Sequence, residues 1–123
     1  MLMLILALCA AGSHQVNQKP TIVDVLKVKL TRSFGDLRAV SNTKGSVRVA
    51  LDASSIEESA YVALLTSACA ALGNRAKEIT ELAFVNRHAA QGYVFEEPTS
   101  CPSVLNAPVA QLKVRVLAKT HLF

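Results

Sequence analysis

The sequence predicts an α+β domain in which an antiparallel sheet of about four to six strands carries one main helix on one face. Three observations lead to this prediction. Segments that alternate between apolar and polar residues flank one longer segment with helical periodicity. A chain of 123 residues has the length of one domain. Its 51% hydrophobic and 18% charged residues exclude intrinsic disorder.

The first twelve residues, MLMLILALCAAG, form an uncharged run of apolar and small residues. A helix needs about 20 apolar residues to span a bilayer, so this run is too short for a transmembrane anchor. The small residues Ala10, Ala11 and Gly12 fit a signal peptide cleaved after Gly12. Residues 1–12 are therefore predicted to be a signal peptide and 13–123 a single domain of a periplasmic or secreted protein. No Lys or Arg precedes the run, and a buried N-terminal strand is the alternative.

Two alternating segments in the first half of the chain predict a β-hairpin. In residues 21–32, TIVDVLKVKLTR, the apolar side chains of one face alternate with Lys27 and Lys29 on the other. Residues 46–52 alternate again, with Arg48 pointing outward. Turn-forming residues between 33 and 45 link the two segments.

The main helix is predicted from Ser55 to about Leu72. Ser55 and Glu58 have the spacing of a capping box, in which each side chain bonds a backbone N–H of the first turn. Gly73 is typical of a helix end. An apolar arc runs along this segment, and Cys69 belongs to it, so Cys69 is predicted to point into the core.

The remaining third of the chain predicts more strands. Residues 78–86, EITELAFVN, are apolar on both faces, which is typical of a central strand. A turn at 87–92 leads to a return strand at 93–95. Residues 96–108 contain three prolines and predict an irregular loop. Residues 111–123 alternate and predict the last strand.

The inward positions of these elements define the predicted core. It consists of Ile22, Leu26, Val28, Val47, Val49, Leu51, Leu65, Cys69, Leu72, Leu82, Phe84, Val114 and Val116.

Removal of the signal peptide would leave two cysteines, Cys69 and Cys101. An even number of cysteines in a small exported chain predicts a disulfide. The alternative is two unrelated thiols. Neither a CxxC motif nor a Cys/His set with zinc spacing is present, so no metal site is predicted.

A basic surface is the first candidate binding site. The predicted strands place Lys27, Lys29, Arg48, Lys113 and Arg115 on the sheet face without the helix. Such a face would attract an anionic partner. The alternative is that these side chains only solvate the open face and prevent aggregation. Aromatic residues are not interleaved with the cations, so nucleic acid is disfavoured as the partner.

The turn at residues 86–93 is the second candidate, with Arg87, His88 and Tyr93 as possible ligand contacts. His88 would act as a general base only beside an orienting carboxylate, and this segment contains none. A polar hairpin turn is the alternative.

Motifs for nucleotide binding and for serine hydrolases are absent from the sequence, and we predict no catalytic residues and no cofactor. The sequence favours a non-catalytic, exported binding protein whose partner is a protein or an anionic envelope component. Two alternatives remain open: a small hydrolase or transferase that uses His88 with a distant carboxylate, and a structural subunit of an envelope assembly that docks by a strand edge.

Overall fold

The computed structural model describes residues 19–123, in which five strands form one sheet and the helices pack mainly against one of its faces. The predicted α+β class is confirmed. The helices are α1 (Ile22–Phe34), α2 (Glu58–Leu72), α3 (Cys101–Leu105) and α4 (Val109–Leu117). The strands are β1 (Leu37–Thr43), β2 (Ser46–Leu51), β3 (Glu81–Val85), β4 (Gly92–Phe95) and β5 (Thr120–Leu122). Short 3₁₀ helices cover Gly73–Glu78 and Pro98–Ser100.

The sheet is mostly antiparallel, and its strands follow one another in chain order from β1 to β5. β1 and β2 form a hairpin whose two-residue turn, Lys44 and Gly45, has positive φ angles of 53° and 92°. These angles are the ones that match the twist of paired strands. β2 and β3 are parallel, and α2 supplies the crossover that a parallel pair requires.

The predicted first strand is wrong, because residues 21–32 belong to α1. The buried residues Ile22, Leu26 and Leu30 recur every four positions, which is helical spacing. The Thr21 side chain accepts a bond from the Asp24 backbone N–H at 3.1 Å and caps the helix. The N-terminal hairpin is instead the β1–β2 pair.

The predicted last strand is also largely wrong. α4 occupies Val109–Leu117, and only the three residues of β5 join the sheet. Val116 is buried, as predicted, whereas Val114 is 69% exposed. Val28 on α1 is likewise 60% exposed. A strand would point both valines into the core, whereas the helices point them outward.

The central part of the prediction is confirmed. α2, β2, β3 and β4 lie where the sequence places them, and β3 is a central strand buried on both faces. The capping box is wrong, since Glu57 is the N-cap and makes no side-chain cap bond. The predicted loop at 96–108 contains a 3₁₀ turn and α3. The correctly predicted core residues are Ile22, Leu26, Val47, Val49, Leu51, Leu65, Cys69, Leu72, Leu82, Phe84 and Val116.

A disulfide joins Cys69 of α2 to Cys101 of α3, as the sequence predicts. Both residues are buried, and their Cα atoms are 5.3 Å apart. The bond closes a loop of 32 residues, for which the chain-entropy model gives roughly 3–4 kcal/mol of stabilisation. The disulfide therefore holds the segment after β4 against the helix that covers the sheet.

Tyr61 of α2 connects the helix to the last strand through a buried hydrogen bond. The Thr120 hydroxyl donates its one proton to the Val116 carbonyl at 2.7 Å, so the Tyr61 hydroxyl is the donor in its 2.6 Å bond to Thr120. The Tyr61 ring stacks on Tyr93 with the ring centroids 4.6 Å apart. Burial raises the pKa of Tyr61 to about 12, because the phenolate would be poorly solvated.

We expect the protein to lose stability in alkaline solution because of the raised pKa of Tyr61. The unfolded chain loses the phenol proton near pH 10, whereas the folded chain keeps it until about pH 12, so the free energy of unfolding should fall across this interval. Tyr61→Phe should cost about 1 kcal/mol at neutral pH and should weaken the alkaline fall. Urea denaturation of both proteins at about pH 8 and about pH 11.5 measures the difference, in which lysine titration cancels. An equal fall in both proteins would contradict the assignment.

Candidate functional site

The predicted basic sheet face is not present as one surface. Lys27 and Lys29 are exposed on α1, and Lys113 and Arg115 are exposed on α4. Only Arg48 lies on the sheet face opposite α1 and α2, because its neighbours Val47 and Val49 point into the main core. The correction follows from the two segments that are helices instead of strands.

The α4 cations are engaged by neighbouring groups. The Lys113 ammonium lies 2.8 Å from a Glu58 carboxylate oxygen, and this hydrogen bond raises the pKa of Lys113. Arg115 donates to the Gln111 side chain at 3.1 Å and to the Ser103 carbonyl at 3.5 Å. Salt bridges between exposed side chains such as these contribute little to stability. The negative charge of Glu58 nevertheless offsets the positive charge of Lys113, so Lys113 attracts an anionic partner less than a lysine without an acidic neighbour would.

Arg48 contacts an aromatic ring on the second face of the sheet. Its guanidinium carbon lies 4.8 Å from the centroid of the Phe123 ring, a cation–π distance. Arg48 is on β2, while Phe123 follows β5, so the two side chains meet across β3 and β4. The residues of this face on β3 and β4 form a small buried cluster of Ala83, Val85 and Val94. Arg48 is thus partly occupied in covering apolar side chains.

The β3–β4 turn is held together by the buried side chain of Asn86. Its amide nitrogen donates to the Ser54 carbonyl at 2.7 Å, and its oxygen accepts from the backbone of Ala90 and Gln91 at 2.8 and 3.0 Å. Gln91 in turn donates to and accepts from the backbone of Ile56. The turn is therefore fastened to the connection between β2 and α2, which supports the interpretation as a structural hairpin turn.

The three candidate residues of this turn lie apart and have different surroundings. Arg87 forms a salt bridge with Asp52 at 2.6 Å. Tyr93 stacks on Tyr61 at the edge of the core. His88 is exposed, and no hydrogen bond or salt bridge joins it to any described residue from 19 to 123. The catalytic alternative needs a carboxylate beside His88, and none is in contact with it within this part of the chain.

Other titratable groups give no second constellation. His121 lies 3.1 Å from a Glu96 carboxylate oxygen on the sheet, with both side chains about half exposed. Over residues 19–123, no three His, Cys, Asp or Glu side chains come together in a way that could hold a metal ion. None of the helices in this range has the length and apolar character to cross a membrane.

Positive charge is concentrated in α1, β1 and β2. Seven basic and two acidic side chains lie between residues 19 and 51, whereas six basic and seven acidic side chains lie between 52 and 123. Within the described residues, four salt bridges use a Lys or Arg of the second group and a fifth pairs His121 with Glu96, whereas no Lys or Arg of the first group forms one. We use the name basic edge for the exposed cations of α1, of β1 and of the turn between β1 and β2. These cations are Lys27, Lys29, Arg32, Arg38 and Lys44.

The basic edge includes two concave surfaces on opposite sides of α1. A cleft of about 170 Å³ between α1 and β1 is lined by Lys27, Thr31 and residues 37–40, which include Arg38. A groove of about 370 Å³ on the other side is lined by Lys29 and Arg32, by one acidic residue, Asp24, and by apolar residues such as Val28. Lys27 and Arg38 thus border the same cleft, although they are eleven positions apart in the sequence.

The sequence does contain a signal for the basic edge, namely the excess of basic residues between 19 and 51. The sequence-based prediction missed this signal because it grouped the cations by the strand faces it assumed. The disulfide was the other predicted site, and its two cysteines are joined. The segment 1–12, predicted to be a signal peptide, lies outside the described residues. No protein-family model, curated protein or solved structure matches the chain.

Two substitutions in the β3–β4 turn should separate its structural residue from its exposed one. Asn86→Ala removes three buried hydrogen bonds and should lower the free energy of unfolding by about 2–3 kcal/mol. His88→Ala should change it by less than about 0.5 kcal/mol, because His88 has no hydrogen-bond or salt-bridge partner in the described range. Denaturant unfolding checks both values. Equal destabilisation by the two substitutions would mean that His88 has a role in this turn that the structure does not show.

Proposed function

We propose that this chain is an exported, non-catalytic binding protein that contacts an acidic protein surface through its basic edge. The observation that carries the proposal is the unbalanced charge of the basic edge. Its five cations form no salt bridge with any acidic side chain among residues 19–123, whereas Lys113 and Lys119 are paired with Glu58 and Glu97. The net positive charge of the protein therefore lies in one region.

Long-range attraction explains why location matters more than the number of charges. Cations that lie in one region without acidic partners add their fields and raise the association rate with an anionic partner, whereas the field of a paired cation is largely cancelled by its acid. An acidic protein is favoured over nucleic acid because nucleic-acid sites usually add aromatic side chains on which bases stack. Among residues 19–123, no aromatic side chain lines the cleft beside Lys27 or the groove beside Lys29.

Export is proposed from two features that agree with each other. The apolar run at residues 1–12 has the composition of a signal peptide, and the disulfide requires an oxidising compartment to persist in most organisms. Such a protein would be periplasmic or secreted.

Export predicts a processed and oxidised protein. When the full chain is expressed in a secreting host and recovered from outside the cytoplasm, N-terminal sequencing should give Ser13 as the first residue. Alkylation without reduction should modify neither Cys69 nor Cys101, since both are in the disulfide. A protein that stays in the cytoplasm with an intact Met1 and two reactive thiols would contradict export, while leaving the binding proposal open to its own test.

The binding proposal predicts that only the basic edge supports attachment to an acidic polymer. Poly-L-glutamate immobilised on a sensor surface serves as the probe. The triple substitution of Lys27, Lys29 and Arg32 by Gln should weaken binding about tenfold, as expected from the loss of three exposed charge interactions of up to about 1 kcal/mol each. Binding by the unchanged protein should fall steeply between about 50 mM and about 500 mM salt, because salt screens exposed charges.

The matched control removes the same charge from another surface. Substitution of Lys113, Arg115 and Lys119 by Gln lowers the net charge equally and should weaken binding less than threefold, since these side chains lie outside the basic edge. Circular dichroism should show both variants folded. Equal weakening by the two variants would mean that net charge, and not the basic edge, governs attachment. Stronger binding to vesicles containing phosphatidylserine than to poly-L-glutamate would contradict an acidic protein as the partner.

A further inference from the structure

β1 is an edge strand that has a neighbour on one side only. It pairs with β2 over Leu37–Thr43, and the described residues place no strand on its other side. Natural proteins usually protect such an edge with proline, with a lysine in the strand or with a very short strand. β1 has seven residues, contains no proline and carries one charge, Arg38, and its one irregularity lies between Leu37 and Ala39, before the regular ladder of residues 39–43. Its unpaired backbone groups are therefore available for another strand.

The hairpin register identifies which backbone groups face outward. Thr43 and Ser46 flank the two-residue turn, so they form a pair that exchanges hydrogen bonds. Hydrogen-bonded and non-hydrogen-bonded pairs alternate along an antiparallel ladder. The backbone N–H and C=O groups of Asn42 and Val40 consequently point away from β2. They form no hydrogen bond with loops or side chains of residues 19–123.

The two sides of this edge differ chemically. On the α1 side, the cleft of about 170 Å³ runs beside residues 37–40 and is bordered by Lys27, Thr31 and Arg38. On the other side of the sheet, β1 presents Ala39, Ser41 and Thr43, which are exposed, small and uncharged. A strand added here would therefore meet cations with one row of side chains and small neutral residues with the other.

We propose that the edge of β1 binds an extended acidic segment of a partner protein, which adds to the sheet as a sixth strand. Main-chain hydrogen bonds to Val40 and Asn42 would provide affinity, as in other cases of strand addition. Carboxylates at alternate positions of the segment would face Lys27 beside the cleft, since residues two apart lie on the same side of a strand. The Arg38 guanidinium donates to the Arg87 carbonyl at 3.3 Å, so Arg38 contributes mainly long-range attraction. This inference rests on the proposed function and names the place and the conformation of the acidic partner.

Charge complementarity decides against a second copy of the chain as the occupant. Pairing of two β1 edges would bring Lys27, Arg38 and Lys44 of one copy close to the same cations of the other. Like charges facing each other across paired strands are destabilising. The carboxylates of an acidic segment would instead be attracted by these cations.

Three synthetic peptides with blocked ends test the proposal by fluorescence anisotropy. The first, Thr-Glu-Val-Glu-Val-Glu-Thr, can pair as a strand and carries three carboxylates on one side. The second replaces each Glu by Gln, which keeps the strand and removes the charge. The third has a methyl group on the backbone nitrogen of every Glu and Val, which keeps the charge and removes the backbone donors for either strand direction. The first peptide should bind at least about tenfold more tightly than either control.

The pattern of binding separates this inference from the proposed function. Equal binding of the first and third peptides would support an acidic partner but overturn strand addition. Equal binding of the first and second peptides would support strand addition and overturn the acidic partner. Failure of all three peptides overturns strand addition, and poly-L-glutamate attachment then tests the proposed function separately. A dimer that forms without peptide, measured by light scattering, would overturn the acidic occupant in favour of a second copy.

A substitution at the edge provides a matched pair of variants. Asn42→Pro removes an outward N–H, and Asn42→Ala keeps this N–H. Both lose the same 2.9 Å bond from the Gly45 backbone N–H to the Asn42 side chain. Binding of the first peptide should be lost in Asn42→Pro and kept within about threefold in Asn42→Ala. Equal affinities of the two variants would overturn the assignment.

Amide hydrogen exchange of the unaltered protein tests the same edge without any substitution. With saturating first peptide, exchange at Val40 and Asn42 should slow at least about tenfold, because their N–H groups become hydrogen-bonded. Exchange at Ala39 and Ser41, which bond to β2, should change much less. Saturated binding with no slowing at Val40 and Asn42 would place the peptide elsewhere and overturn the inference, even if Asn42→Pro fails to fold.

Discussion

The burial of α2 against the sheet is the constraint on which the rest of the structure depends. Its apolar side supplies Tyr61, Leu65 and Cys69, all fully buried. Two of them, Tyr61 and Cys69, connect α2 to different parts of the molecule. Tyr61 meets Phe84 of the central strand edge to face and bonds the residue that begins β5. Cys69 joins α3 through the disulfide. α2 thus holds the central strand, the last strand and the disulfide-linked segment in place. β1 makes none of these contacts and forms one edge of the sheet, with α1 beside it.

The sequence predicted the elements around α2 and missed those at both ends of the described chain for a physical reason. The segment of α2 is 15 residues long, is rich in Ala and Leu and is followed by Gly73, so its length, its composition and its end signal all indicate a helix. The 13 residues of α1 contain Leu26, Val28 and Leu30, which alternate as in a strand, while Ile22, Leu26 and Leu30 repeat as in a helix. β-branched residues favoured the strand. The Thr21 cap and the end at Gly35 favour the helix, and tertiary packing decides between them.

The interpretation of α1 as a strand also explains the partial success with the candidate binding site. The sequence predicted a cluster of cations but placed it on the wrong surface. Residues two apart share one face of a strand, whereas in a helix they are about 200° apart around the axis. Lys27 and Lys29 therefore line concave surfaces on opposite sides of α1. Arg38 joins Lys27 in the cleft through the fold, which no local spacing could have shown. The disulfide could be predicted without the fold because residues 13–123 contain only two cysteines, which allow a single pairing.

The charges of the basic edge and the open backbone of β1 have related consequences. An uncharged edge strand of seven residues would pair with any other exposed strand, including its own copy. Cations beside the edge make approach of a like-charged strand unfavourable and approach of an acidic strand favourable. Repulsion from wrong partners and attraction to the right one thus arise from the same side chains. Salt bridges across the edge would have removed both effects. Among residues 19–123, the acids that form salt bridges pair with Arg75, Arg87, Lys113, Lys119 and His121, none of which belongs to the basic edge.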